Sequence, residues 1–231
     1  MNPEESASAA SASAPLDPFK LPPPEIPTQE GPRGIRYDFN DGARLLLPPG
    51  AWHAQIEDDE SGNILFACDA DEGWVVSAKK YYVPFRVRVW DRADLEKPVL
   101  DHLMDLRGKP VLVKFPVGTL GDILGWFPYA EKFQRKHECK LECTMAKNLV
   151  DLFAPQYPDL TLSPAPDAKT AAPYASYRIG LFFGGDQDNQ PFDFRQVGLA
   201  RTAGYIPGVD PQETPPRLQP DPQREIAERY V

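Results

Sequence analysis

The chain is poor in cysteine: Cys68, Cys139 and Cys143 are the only ones among 231 residues. An odd count this low excludes a disulfide scaffold and suits a reducing compartment, so free thiols are expected. Positive charge is also short, with 25 Lys and Arg against 34 Asp and Glu and a net charge of -9. Neutralising nucleic-acid phosphates needs the opposite balance, which argues against DNA and RNA as partners. No run approaches the ~20 apolar residues of a membrane span. The opening "MNPEESASAASASAP" carries acid where a signal peptide carries base, and it gathers no apolar core. No membrane partner is expected, and a cytoplasmic location follows. What is present is 42% hydrophobic side chains, enough for a chain of this length to bury a substantial core.

Composition divides the chain into four stretches. Residues 1–33 pass from Ser/Ala repeats into "PLDPFKLPPPEIPTQEGP", where proline removes backbone donors and few apolar groups offset the entropy of ordering. This stretch is predicted to be a disordered tail with polyproline character. Residues 34–106 carry hairpin punctuation at Asn40–Gly42, Ser61–Asn63 and Asp71–Gly73, which predicts a small antiparallel β domain. Within it "YVPFRVRVW" alternates, placing Val83, Phe85, Val87 and Val89 on one face and Arg86 and Arg88 on the other. Residues 107–210 read as a Rossmann-like α/β layer: "PVLVKFP" as a strand buried on both faces by helices, then a glycine turn, a helix, "KLECTM", "AKNLVDLFAPQYP", "LTLSP", "SYRIGLFFG" and "DFRQVGLARTAGYI". Pro128 interrupts the first helix and predicts a kink or a new turn there. Residues 211–231 are Pro-rich like an interdomain linker, followed by a short helical stretch and then "YV", which reads as the opening of a strand.

The glycine turn is the first chemical candidate. Gly118, Gly121, Asp122 and Gly125 form G-x-x-G-D-x-x-G, which matches neither the dinucleotide fingerprint nor the phosphate loop, and no lysine follows the second glycine. Its place at the carboxyl end of a parallel strand is nevertheless where open α/β sheets bind ligands. Asp122 has two readings from the residues alone: a capping group at a helix start, where the macrodipole stabilises a carboxylate, or a base for proton transfer.

Other clusters read more simply. His137, Cys139 and Cys143 suggest a metal set, but two cysteines four apart on a strand sit roughly 13 Å apart, too far for one ion, and no fourth ligand closes the set. Lys79, Lys80, Arg86 and Arg88 fit a solvated strand face, with phosphate or an acidic segment as the alternative. Arg195 and Arg201 could meet a diphosphate, or could pair with the chain's abundant acids on a helix surface. Trp126 and Phe127 read as packing beneath the turn.

The blocks "RYDFNDGARLLLP", "KKYYVPFRVRVW", "DLRGKPVLVKFPVGTLGDILGWFPYAEKFQRKH", "YRIGLFFGGD" and "DFRQVGLARTAGYIPGVDP" resemble the bacterial autotransporter heptosyltransferase family over residues 34–231. The resemblance implies the N-terminal half of a GT-B glycosyltransferase: the small β domain, then a Rossmann-like domain on the acceptor side of a cleft. It implies transfer of heptose from ADP-heptose to serine hydroxyls of autotransporter passenger domains, with the chain assembling into a homo-oligomer. On this chain it casts Asp122 as general base and Gly118, Thr119, Leu120 and Gly121 as the loop shaping the substrate site. It places the donor-binding domain, with a structural four-cysteine iron site, beyond the region matched here, so no cofactor is expected within this chain. Two further readings stay open: an inactive module that binds acceptor or oligomerises, and one half of a split enzyme.

Overall fold

The first hairpin shows how the local sequence works. Strands β2 (Arg36–Asn40) and β3 (Arg44–Leu47) are joined through Asp41 and Gly42, both at positive φ (54° and 97°), the handedness that suits a tight antiparallel turn. A computed structural model describes residues 21–116, 118–165 and 167–219 and gives the remaining architecture. A two-residue strand, β1 (Gln29–Glu30), pairs with β2. Strands β4 (Trp52–Asp58) and β5 (Asn63–Ala70) form the hairpin expected at Ser61–Asn63. At Asp71–Gly73, by contrast, the chain leaves β5 for a different sheet, where β6 (Gly73–Val76) pairs with β3. Strands β7 (Phe85–Asp91) and β8 (Leu100–Leu103) complete a four-stranded antiparallel sheet of order β5-β4-β7-β8.

The second half alternates strand and helix: β9 (Pro110–Lys114), α1 (Leu120–His137), β10 (Lys140–Met145), α2 (Lys147–Phe153), β11 (Thr161–Pro164) and β12 (Ala175–Arg178), then two short helices, α3 (Phe194–Val197) and α4 (Leu199–Tyr205). Here "DFRQVGLARTAGYI" is broken in two by Gly198, at φ 96°. Helix α1 runs unbroken through Pro128. The larger sheet has the order β11-β10-β9-β12-β2-β3-β6, parallel from β11 to β2 and antiparallel beyond. Strands β2, β3 and β6 therefore extend the sheet across the boundary expected at residues 106 and 107. Because β10 lies on one side of β9 and β12 on the other, the order reverses at β9/β12, and loops leaving the carboxyl ends of these two strands bound a crevice.

The parallel sheet has two unlike faces. Phe39, Val111, Val113, Leu141, Cys143, Ala175 and Tyr177 are buried on one. Phe133 of α1 meets Tyr177, and Phe85 of β7 stacks on Phe39, so α1 and the second sheet cover this face. Phe127 stacks on Phe153 of α2 at 4.3 Å. The alternate residues Asp38, Asn40, Lys114, Glu142, Thr144 and Ser176 are also buried. Strand β9 is thus buried on both sides as expected, but the second cover is polar and comes from extended segments. Lys169 and Thr170 donate main-chain hydrogen bonds to Glu142. Across β2, β3 and β9 lies the stretch from residue 21 to β1.

That stretch departs from the expected tail. The carbonyls of Leu21, Pro24 and Pro27 accept hydrogen bonds from Lys114 Nζ (3.2 Å), Arg44 Nη1 (2.9 Å) and Arg36 Nε (2.9 Å). Polyproline II repeats every three residues, so carbonyls three apart face the same way, and three basic side chains can hold them without any donor from the strap itself. The rest of the expected tail, residues 1–20, lies outside the described residues. Part of the expected linker also packs down: Tyr129 donates to the Pro211 carbonyl and Arg217 stacks on Tyr157. The helical stretch and strand expected after residue 219 lie outside the described residues.

Candidate functional site at the carboxyl edge of the sheet

The glycine turn follows β9 and opens into α1 at the β9/β12 crevice. Gly118 has φ 145°, and a Cβ there would stand 3.0 Å from Ile123 and 3.1 Å from Trp126, so both conformation and space demand glycine. Gly121 has no such constraint; the nearest atom to a Cβ would be Thr119 Oγ1 at 3.7 Å. Leu120 is 54% exposed at the helix mouth. Beneath the turn Trp126 and Phe127 are buried as expected, and Trp126 Nε1 donates to the Leu199 carbonyl, tying α1 to α4.

Thr119 is the N-cap of α1, and Asp122 sits at the third helical position in a reciprocal capping box. Asp122 Oδ2 accepts from the Thr119 amide at 2.7 Å and from its hydroxyl at 2.9 Å, while the Asp122 amide donates to Thr119 Oγ1 at 3.4 Å. Among the described residues, every hydrogen bond donated to the carboxylate falls on Oδ2. The group is half-buried. One oxygen is therefore held in place and the other has acceptor capacity, so capping and proton acceptance are compatible in the same side chain.

The remaining predicted residues are more scattered. Arg195 folds back on Asp193, at 2.6 Å, and over the Phe194 ring. Arg201, on α4, pairs with Glu213 at 3.4 Å, both exposed. Arg86 is held by Asp101 and Asp59, and Arg88 by Glu57. Lys79 and Tyr81 border an open depression of about 580 Å³ with Gln190 and Phe192. The three cysteines are free. Burial pushes the Cys139 thiol up to about 11 and Cys143 higher still. Burial also pushes His137 down to about 4. Among the described residues no group of three or more His, Cys, Asp or Glu could hold a metal ion, and two buried, protonated thiols are poor ligands, so these residues do not fit an iron site. No helix among them is long and apolar enough to cross a membrane.

Two features had no reading in advance. Lys114, at the last position of β9 and 1% exposed, pairs with Asp41 at 2.8 Å, and burial lowers its pKa. Asp38, fully buried, takes a bidentate bond from Arg44 at 2.7 and 2.6 Å. The signal lay in "RYDFN", whose period of two puts Arg36, Asp38 and Asn40 on one face. Leu120, Phe183, Phe192 and Leu199, on loops and helix starts of this half, are exposed apolar side chains.

Residues 31–93 match the model of the glycosyltransferase TibC N-terminal domain. The chain is 57% identical over 213 residues to the autotransporter heptosyltransferase TibC of Escherichia coli O78:H11, covering 92% of this chain and 52% of that protein. It is 43% identical over 212 residues to the inactive autotransporter heptosyltransferase BimC of Burkholderia thailandensis, covering 91% of this chain and 49% of the relative. The crystal structure of the iron-containing dodecameric glycosyltransferase TibC from enterotoxigenic E. coli superposes with a TM-score of 0.86, over 91% of this chain and 55% of that one. TibC has also been solved in complex with ADP-D-β-D-heptose, again with a TM-score of 0.86. The chain spans about half the length of the curated relatives it matches.

Proposed function

We propose that this chain, which matches the N-terminal portion of the autotransporter heptosyltransferases, provides the acceptor side of a protein O-heptosyltransferase. The observation that carries the reading is a capped aspartate at the switch-point crevice of a sheet that superposes on TibC. In this reading a serine hydroxyl of an autotransporter passenger attacks the anomeric carbon of ADP-heptose. The bond from that carbon to the diphosphate breaks and ADP leaves. The hydroxyl proton passes to Asp122. Gly118 gives the turn its shape, Thr119 holds the carboxylate, and Leu120 and Gly121 border the entrance. Most of the donor site belongs to the half of the relatives' length beyond this match, as does the iron of an iron-containing relative. Leu120, Phe183 and Leu199 are offered as surface that such a half covers. Assembly into a homo-oligomer and action in the cytoplasm belong to the same proposal.

A relative described as inactive favours one competing reading, a module that binds acceptor without turnover. Mixing a polypeptide of the relatives' full length that contains this sequence with ADP-heptose and a passenger domain, then weighing the passenger, separates the two. A heptose-sized increment is expected; an unchanged passenger that still binds would support the inactive module.

A further inference from the structure

Positive charge in this chain is neutralised locally almost everywhere. Among the described residues every arginine but one pairs with an aspartate or glutamate, including Arg195 with Asp193 and Arg201 with Glu213. The exception is Arg178, the last residue of β12. It is half-buried and in register with Lys114, the last residue of β9, so two cations stand on the same face of adjacent strands, about 4.8 Å apart at the backbone. Lys114 has Asp41 as its partner. Burial chiefly lowers the Lys114 pKa, and the charge of Arg178 adds to the effect. Arg178 is thus left without a counter-charge at the carboxyl edge of the sheet, in a chain whose net charge is -9.

The guanidinium is held in place but its donors are not used up. Nη2 donates to Asn189 Oδ1 at 2.6 Å, and the group lies over the Phe182 ring at 5.7 Å. Asn189 is itself buried and anchored by a bond to the Asp186 carbonyl, so its oxygen is a fixed post. Nε is buried with no partner among the described residues. A guanidinium carries five N–H donors, and a buried donor without a partner marks the place of a water, an ion or a ligand. The loop between Phe182 and Asn189 also leaves room, since a Cβ built on Gly184 or Gly185 would meet no atom within 4 Å. We infer that Arg178 is a phosphate anchor of the crevice, holding the diphosphate of ADP-heptose, with Asn189 positioning its guanidinium. The inference deepens the transferase reading above and rests on it for the identity of the ligand. The planar fork of a guanidinium matches phosphate oxygens, and a fixed cation gains in effect as the bond to the anomeric carbon breaks and charge builds on the departing ADP. Strand β9 leads to Asp122 and β12 ends in Arg178, so base and leaving-group anchor come from the two strands that bound the crevice.

The test is calorimetric titration of a polypeptide of the relatives' full length that contains this sequence, with ADP and separately with inorganic pyrophosphate. Arg178→Gln should weaken both by about ten-fold or more, the loss of a charge-assisted hydrogen bond. Arg178→Lys, which keeps the charge without the fork, should weaken both by less, and it supplies the comparison if the glutamine variant does not fold. In transfer assays KM for ADP-heptose should rise by the same factor while KM for the passenger stays unchanged. Affinities unaltered in both variants overturn the inference, as does ADP weakened with pyrophosphate unaffected, or pyrophosphate that does not bind the unsubstituted protein. Lysine as damaging as glutamine, with unfolding stability lowered alike in both, reduces Arg178 to a loop anchor and also overturns it. ADP and pyrophosphate bound through Arg178 with no heptose transferred leaves the phosphate anchor standing and defeats the transferase reading. Transfer that ignores both substitutions does the reverse.

Discussion

The two faces of the parallel sheet are built from alternate residues of the same strands, yet they solve burial in opposite ways. On one face Val111, Val113, Tyr177 and Phe39 meet aromatic side chains from α1 and β7, and stability comes from apolar area removed from water. On the other, Asp38, Lys114, Glu142 and Ser176 are equally buried but are held by partners on neighbouring strands and on coil segments. Buried ion pairs contribute little net stability because desolvation offsets their attraction, although breaking one is costly. The apolar face therefore holds the fold together, and the polar face specifies where the strap and the β2–β3 turn sit at the crevice edge.

Damaging each face once and then repairing it tests whether the two differ in this way. Phe127→Ala removes a ring stacked on Phe153 and edge-on to Tyr157, and should cost about 3–5 kcal/mol in denaturant unfolding. Arg44→Met leaves Asp38 buried without its guanidinium and should cost a similar 3–5 kcal/mol or so. Replacing both partners, Asp38→Leu with Arg44→Met, should recover most of the second loss, since two apolar groups of like shape remove the unpaired charge. A double variant as unstable as Arg44→Met alone would mean the pair stabilises by itself and the two faces do not differ as described.

A smaller effect separates capping from positioning at the turn. Thr119→Ala removes the N-cap hydroxyl and one of the two donors on Asp122 Oδ2, and should lower stability by about 1 kcal/mol. If the hydroxyl also orients the carboxylate, kcat for transfer falls while KM for the passenger is unchanged, and Thr119→Ser restores both stability and rate. A stability loss with kcat unaltered would leave Thr119 a cap alone.

How much of this was legible in the sequence follows from which interactions are local. The β9-turn-α1 unit was, because "PVLVKFP", the glycines and the helical spacing of Ile123, Trp126, Phe127, Ala130 and Phe133 all report on neighbours within a few residues. The pairing of β2 with β12 was not, since a parallel partner 136 positions away leaves no mark in local periodicity. The strap was misjudged for a related reason. Its prolines and scarce apolar groups suggested disorder, but its carbonyls are held by Arg36, Arg44 and Lys114, which lie 9, 20 and 93 positions away and outside the strap itself. At Asp122 the residues alone left capping and proton transfer as alternatives, and the geometry shows that one carboxylate can serve both.

Asp122 is proposed to accept the acceptor's proton. The direct measurement is the rate of heptose transfer to a passenger domain by Asp122→Asn, made in a polypeptide of the relatives' full length. Asparagine keeps an oxygen for the Thr119 amide and hydroxyl, so unfolding should be unaltered while kcat drops by about 10²–10⁴. Transfer within a few-fold of the unsubstituted protein would contradict the claim and leave Asp122 as the third residue of a capping box.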